Sequence, residues 1–202
     1  VTPEDTVEDT GSIKVGPIEF RNWFYVQYGR TDGSVDMIKG LQRSNDIYFY
    51  RTGEKLTAPK IKKWAEIFGY GRKTNIGLEE EMGLIPSDFW KRETIGERWF
   101  LGDTYNISIG QGYLLATPIQ VAQATMPFAN GGKICTPQLL KLGAEENKGL
   151  VDSEPHCRSL GLSKETIETV REGMKRACQL GGTGWPFFNF EVEESVLSKE
   201  DI

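Results

Sequence analysis

The stretch Leu41-Gln42-Arg43-Ser44-Asn45-Asp46-Ile47-Tyr48-Phe49-Tyr50 sets a polar Ser-Asn-Asp turn between two apolar segments. Upstream, Val35, Met37, Ile38 and Leu41 fall mostly at steps of three and four. Downstream, Ile47, Phe49, Tyr50 and Leu56 repeat the pattern, so each side reads as a helix. A break this short places Ser44 at the N-terminus of the second helix, with its hydroxyl near unpaired backbone N–H groups. Ser, Asn and Asp are preferred there because their oxygens accept those N–H groups. Taken alone, the triplet is a helix cap.

Working outward, residues 1–12 are acidic and polar without a period, which predicts a loop or extended arm. Ile13, Val15, Ile18 and Phe20 alternate about Gly16-Pro17, the pattern of short strands broken by a turn. Asn22-Trp23-Phe24-Tyr25 is an aromatic run suited to packing on its neighbours. Thr31-Asp32-Gly33 reads as a turn, and Ser34 as the N-cap of the first helix. Thr52 and Gly53 on the second helix suit close helix packing. Ala58-Pro59 opens a third helix with Pro at an allowed position. Ile61, Trp64, Ala65 and Phe68 are its expected buried stripe, and Gly69 its end. Residues 72–86 are loop-rich, and Ser87 caps a short helix through Trp90-Lys91.

Thr117-Pro118-Ile119-Gln120 has a hydroxyl cap, Pro in the first turn and Gln at the third position, the grammar of a capping box. The helix runs toward Asn130-Gly131-Gly132. Pro127 costs about 3 kcal/mol in a helix interior, so a kink or early end is expected. Residues 133–135 and 138–142 read as short strands and 143–160 as loop. Ser163 opens the last helix, whose Ile167, Val170, Met174 and Ala177 form a core stripe. Gly181-Gly182-Thr183-Gly184 ends it. That run follows a helix and lacks Gly-Lys-Ser/Thr, so it is no phosphate loop. The element mix is α+β.

The 202 residues suffice for one medium domain, and no internal repeat divides them. A net charge of −5 lacks the footprint of a nucleic-acid binder; Lys60, Lys62, Lys63, Arg72 and Lys73 read as a solvated helix face and its following loop. No apolar run approaches the roughly 18–20 residues of a membrane span, and no signal peptide opens the chain. Cys135, Cys157 and Cys178 are odd in number and show no Cys-x-x-Cys spacing, which argues against a zinc site or a disulfide framework. His156, the single histidine, sits in loop-like Ser153-Glu154-Pro155-His156 and reads as a surface residue rather than a catalytic base.

Several blocks in order change the weight of the triplet: Ser44-Asn45-Asp46 with Ile47-Tyr48-Phe49-Tyr50, then Phe68-Gly69-Tyr70-Gly71, then Gly102-Asp103-Thr104-Tyr105-Asn106-Ile107-Ser108-Ile109-Gly110-Gln111-Gly112 leading to Thr117-Pro118-Ile119-Gln120. From about residue 33 onward the chain resembles the class B penicillin-binding proteins, in particular the elongation-type peptidoglycan D,D-transpeptidases. The resemblance implies a β-lactamase/transpeptidase-like α+β fold, here mostly its helical part with an incomplete antiparallel sheet, so that residues 1–202 form part of a penicillin-binding domain. Glu79-Glu80-Glu81 stands where the family usually shows a Pro-Gly-Glu turn, which leaves that loop's conformation open.

In the family a Ser-x-x-Lys serine attacks the D-Ala-D-Ala carbonyl, a Ser-x-Asn relays protons and holds substrate, and a Lys-Thr-Gly strand binds the substrate carboxylate. Serine is a poor nucleophile until a base takes its proton, and the oxyanion needs fixed N–H donors. By resemblance Ser44 relays a proton to the leaving group, and Asp46, in the Asn position, orders the site and contacts the stem-peptide backbone. Asn45 is the variable middle residue, grouped with substrate binding. No Ser-x-x-Lys and no Lys-Thr-Gly occur in this sequence; Arg51-Thr52-Gly53 lies too close behind Ser44 to serve as the latter. The resemblance therefore places the nucleophile upstream of Val1 and the Lys-Thr-Gly beyond Ile202, and implies inactivity of this segment alone. It further implies no cofactor and no metal, peptidoglycan stem peptides and β-lactams as ligands, and membrane-embedded cell-wall synthesis partners. The expected location is the extracytoplasmic face of the membrane, anchored by a segment outside this chain. The rival is a non-catalytic cell-wall scaffold or β-lactam sensor on the same fold; a β-lactamase or carboxypeptidase is weaker. With neighbours missing, the faces of Val35/Ile38 and Ile167/Val170/Met174 are expected to lack partners and the segment to be marginally stable.

Overall fold

The computed structural model describes residues 2–139 and 156–184. Among the described residues, three two-stranded antiparallel sheets flank a set of helices. β1 (Val7–Asp9) pairs with β4 (Gly33–Val35), β2 (Ser12–Val15) with β3 (Ile18–Arg21), and β5 (Lys133–Cys135) with β6 (Cys157–Ser159). The helices are α1 (Trp23–Tyr28), α2 (Met37–Arg43), α3 (Asp46–Leu56), α4 (Ala58–Ile67), α5 (Asp88–Ile95), α6 (Leu101–Ser108), α7 (Pro118–Ala129) and α8 (Lys164–Ala177). The α+β expectation holds.

α3 is the central element. Its Ile47 and Tyr50 join Ile13 of β2 and Tyr105 of α6 in a buried cluster, with Val7, Val15, Phe20 and Ile109 packed around it. Tyr50 stacks on Tyr105 at 4.8 Å and 17°, and Phe20 presents its edge to both at 5.7 and 5.1 Å, geometries that add to simple area burial. The anticipated hairpin over Ile13–Phe20 is present, in the register Ile13 to Phe20. Gly53 does bring α3 and α6 together: a Cβ there would stand 1.9 Å from the Ser108 Oγ.

Several expectations fail for reasons the chain makes clear. Val7–Asp9 is a strand rather than an arm, and its partner is Gly33–Val35. Ser34 is therefore in a ladder, and Asp36 caps α2, accepting the Lys39 N–H at 2.8 Å. The stripe on α4 is not buried, and Trp64 is 46% exposed; the helix packs one side on α3 and α6 with the other left open. Pro127 does not end its helix at once: the helix runs on for two residues to Ala129, with Pro127 fully buried and only its own missing N–H taken from the ladder. Gln138 and Leu139 form no strand, the rest of that stretch lies outside the described residues, and 157–159 is a strand where loop was expected.

The helices α2 and α8, which carry most of the two faces expected to lack partners, pack on each other, and α8 packs on α7 as well. α2 packs along α8, where Gly173 is buried and a Cβ on it would lie 2.5 Å from Leu41 Cδ1. Val35 is fully buried and Ile167 nearly so, while Met174 stays 41% exposed.

Tyr48 is 1% exposed and its hydroxyl makes no hydrogen bond of normal geometry among the described residues, the Thr52 side chain one turn on being the neighbour close enough to act on it. A buried donor left unmade costs about 1–3 kcal/mol. Tyr48→Phe should therefore leave stability unchanged or raise it by up to about 1 kcal/mol, measured by urea unfolding. A loss above that size would mean that the hydroxyl is bonded in solution.

Candidate active site

Helices α2 and α3 abut end to end, and the junction is only two residues long. Ser44 closes α2 in the left-handed region at φ 49°, ψ 48°. Its N–H donates to Leu41 O at 3.3 Å and the Asn45 N–H to Gly40 O at 3.0 Å, a Schellman closure with Ser where Gly is usual. Asn45 then caps α3, its Oδ1 accepting the Tyr48 N–H at 2.9 Å. The expectation of Ser44 as the N-cap is thus corrected by one residue. A serine that also had to cap α3 would have its oxygen turned inward, whereas Ser44 is exposed.

What holds the junction is a polar network the sequence did not announce. Asp9 is 2% exposed and accepts four N–H groups: Gly11 N at 2.8 Å on Oδ1, and Asn22 Nδ2, Asp32 N and Asn45 Nδ2, each at 2.9 Å, on Oδ2. Asn45, fully buried, also donates to Asp32 Oδ2 at 3.1 Å, so its amide is consumed inside the protein. Asp32 in turn accepts Arg43 Nε at 2.9 Å, and Arg43 lies over the rings of Trp23 and Phe24. Asn22, also fully buried, accepts the Asp46 N–H on Oδ1 at 3.3 Å.

Asp46 is the first residue of α3, and its Oδ2 accepts the Trp23 N–H at 3.1 Å. Burial raises its pKa above the ordinary value of 3.8, the Trp23 N–H pulls it partly back, and the neighbouring Asp9 pushes it up again. A raised carboxyl favours the protonated fold: that contribution is complete below the unfolded value and is lost as pH rises through the folded one. Asp46→Asn, which keeps an acceptor for Trp23, should thus be at least as stable as the parent at pH 7. The advantage should shrink as pH falls through the raised folded value and be gone below 3.8. Urea unfolding at both pH values tests the sign.

Ser44 and Asp46 share an open groove of ≈ 290 Å³ with Phe49, Ser108, Ile109 and Gln111. On its other side Ser44 borders a second groove of ≈ 560 Å³ with Trp23, Gln27, Tyr28, Gly182 and Thr183. The predicted triplet is therefore brought together, with Ser44 and Asp46 facing a groove and Asn45 behind them. Sequence reasoning missed Asp9, Asn22 and Asp32. Ser108 and Gln111 stand in a quoted block, but nothing in their spacing pointed them at Ser44.

Two distant features bear on the site's surroundings. Cys135 and Cys157 form a disulfide across directly opposed positions of β5 and β6, overturning the expectation drawn from cysteine spacing. The pairing follows strand register, and β6 lay in a stretch read as loop. His156 is exposed, as expected.

The penicillin binding protein transpeptidase domain family matches residues 1–187. The chain belongs to that family. Within this transpeptidase family it is 37% identical over 144 residues to the peptidoglycan D,D-transpeptidase MrdA of Haemophilus influenzae, covering 70% of this chain and 22% of that protein. It is 33% identical over 178 residues to MrdA of Escherichia coli K12, covering 86% and 28%. Among solved structures it resembles Pseudomonas aeruginosa PBP2 in complex with WCK 5153, with TM-score 0.79 and 34% identity over 95% of this chain and 43% of that one. It also resembles Helicobacter pylori PBP2, with TM-score 0.77 and 31% identity over 92% and 33%. PBP2 of that organism has been solved in complex with MreC. This transpeptidase-family chain spans 22% to 31% of the length of the first curated relatives it matches.

Proposed function

We propose that this chain is part of the penicillin-binding domain of a peptidoglycan D,D-transpeptidase, which cross-links stem peptides through a serine acyl-enzyme. The observation that carries the reading is the exposed Ser44 hydroxyl, presented from a fixed helix junction into a groove it shares with the carboxyl of Asp46. A short-lived proton transfer to a leaving amine needs a hydroxyl whose position does not depend on the substrate. The Schellman closure beneath Ser44 and the buried amide of Asn45 supply that. In this reading Ser44 relays the proton and Asp46 contacts the stem-peptide backbone. Asn45, grouped with substrate binding on sequence, acts by positioning its two neighbours. The nucleophilic serine, with its Lys partner and a Lys-Thr-Gly strand, comes from outside these residues, and no cofactor is required.

The ligands are D-Ala-D-Ala stem peptides and β-lactams, and the partners are membrane-embedded cell-wall synthesis proteins. The Cys135–Cys157 bond supports an extracytoplasmic location, because such bonds persist in oxidising compartments. Among the described residues no helix is long and apolar enough to cross a membrane, so the anchor in this reading lies in another segment.

Fluorescent penicillin tests the proposal. The full-length protein that contains this chain should be labelled covalently at a serine outside it, and the 202-residue chain alone should not. A full-length protein that binds no penicillin favours the scaffold or sensor reading instead.

A further inference from the structure

The groove beside Ser44 holds one polar side chain that the proposed reaction leaves unused. Gln111 follows α6 in a turn fixed by its own backbone: Ile109 N and Gln111 N both donate to Asn106 O, at 3.2 and 2.8 Å, and Gly110 N donates to Ile107 O at 3.2 Å. Gly110 and Gly112 on either side both sit at φ +73°, a conformation costly to any residue with a Cβ. A Cβ on Gly112 would also meet Asn106 Cβ at 2.9 Å. The turn thus holds its shape through backbone and glycine, with no help from the Gln111 side chain. That side chain is exposed and makes no hydrogen bond among the described residues, yet it lines the groove with Ser44 and Asp46. Its neighbours differ: the Ser108 hydroxyl is spent on Thr104 O at 2.6 Å, and one Asp46 oxygen on Trp23 N.

A free carboxamide offers one acceptor and two donors in a plane, the complement of the C=O and N–H of an extended peptide, the way strand-like peptides are bound. Phe49 and Ile109 supply the apolar wall on which such a peptide lies. We infer that Gln111 is a substrate-binding residue, pairing with a main-chain amide of the stem peptide as it lies beside Ser44 and Asp46. This rests on the transpeptidase reading above.

The test uses the full-length protein, with fluorescent penicillin to report acylation and a stem-peptide substrate to report turnover. Gln111→Ala should raise KM for the peptide about tenfold, the loss of one to two neutral hydrogen bonds. Its kcat should stay within about threefold, as for binding shared by ground and transition states. Gln111→Glu, which keeps the shape and an acceptor but loses the donor, should fall between. Melting temperature and labelling by penicillin should persist in both. An unchanged KM in Gln111→Ala, with the parent active, overturns the assignment. So does a fall in melting temperature together with kcat, which marks a structural residue. If the parent is neither labelled nor active, the transpeptidase reading fails first and this assignment with it.

Discussion

Asp9→Ala should cost about 3–5 kcal/mol of folding stability, enough to exhaust much of the roughly 5–15 kcal/mol by which a domain is held together. Two effects oppose each other at this position. Taking a carboxylate out of water is expensive, so its removal should help. Against that, four N–H groups converge on its two oxygens, and three of them belong to residues that build the Ser44 junction. Each buried donor left unmade costs about 1–3 kcal/mol, and an alanine methyl satisfies none of them. The donors therefore win. Asp9→Asn should be intermediate, since one amide oxygen can still accept while its NH2 faces donors. Urea unfolding of the three proteins gives the ranking. A loss below about 1 kcal/mol for alanine would show that water replaces the carboxylate and that the network is not what fixes the junction.

The network explains why the fold was more legible than the site's support. Helix signals around Leu41 and Ile47, and the caps at Ser87, Thr117 and Ser163, are local. Each depends on residues within one turn, and the side chains at all three caps accept the expected N–H. Asp9 is different. It lies in an acidic segment without a period, and its meaning comes from Asn22, Asp32 and Asn45, which are 13, 23 and 36 positions away. Nothing in local spacing records such a convergence. The same holds for β6, whose role as partner to β5 made the disulfide invisible to cysteine spacing, and for α2 and α8, whose apolar faces were both noticed but not paired.

Gln120 shows the intermediate case. Its place in the capping box was readable, and its Oε1 does accept the Thr117 N–H at 3.0 Å. The same side chain also donates to Arg72 O at 2.7 Å and Met82 O at 2.8 Å, which pins both ends of the 72–82 loop. Within that loop Glu80 accepts the backbone N–H groups of Thr74, Asn75 and Ile76. A loop whose conformation the altered Glu79-Glu80-Glu81 left open is thus closed by the central glutamate acting as a cap.

The second large effect falls on Ser44, and here stability and activity should separate. In the full-length protein, Ser44→Ala should lower the rate of peptide turnover by about 10²–10⁴-fold, the usual span for losing a positioned proton-transfer group. Stability should hardly change, because the Ser44 side chain is exposed, its hydroxyl donates to nothing among the described residues, and alanine tolerates φ 49° no worse than serine. Ser44→Gly makes the separation sharper. Glycine enters the left-handed region without the roughly 1–2 kcal/mol of strain an L-residue carries there. This outweighs the extra unfolded-chain freedom it brings, about 0.4–1 kcal/mol, so the chain should gain stability while turnover falls as far as with alanine. Ser44→Thr keeps the hydroxyl but puts a branched Cβ at positive φ, and should lose stability while retaining part of the activity. Thermal melting beside peptide turnover gives the order. If Ser44→Gly were more stable and equally active, the hydroxyl would have no part in the chemistry, and the left-handed serine would be only a helix terminus.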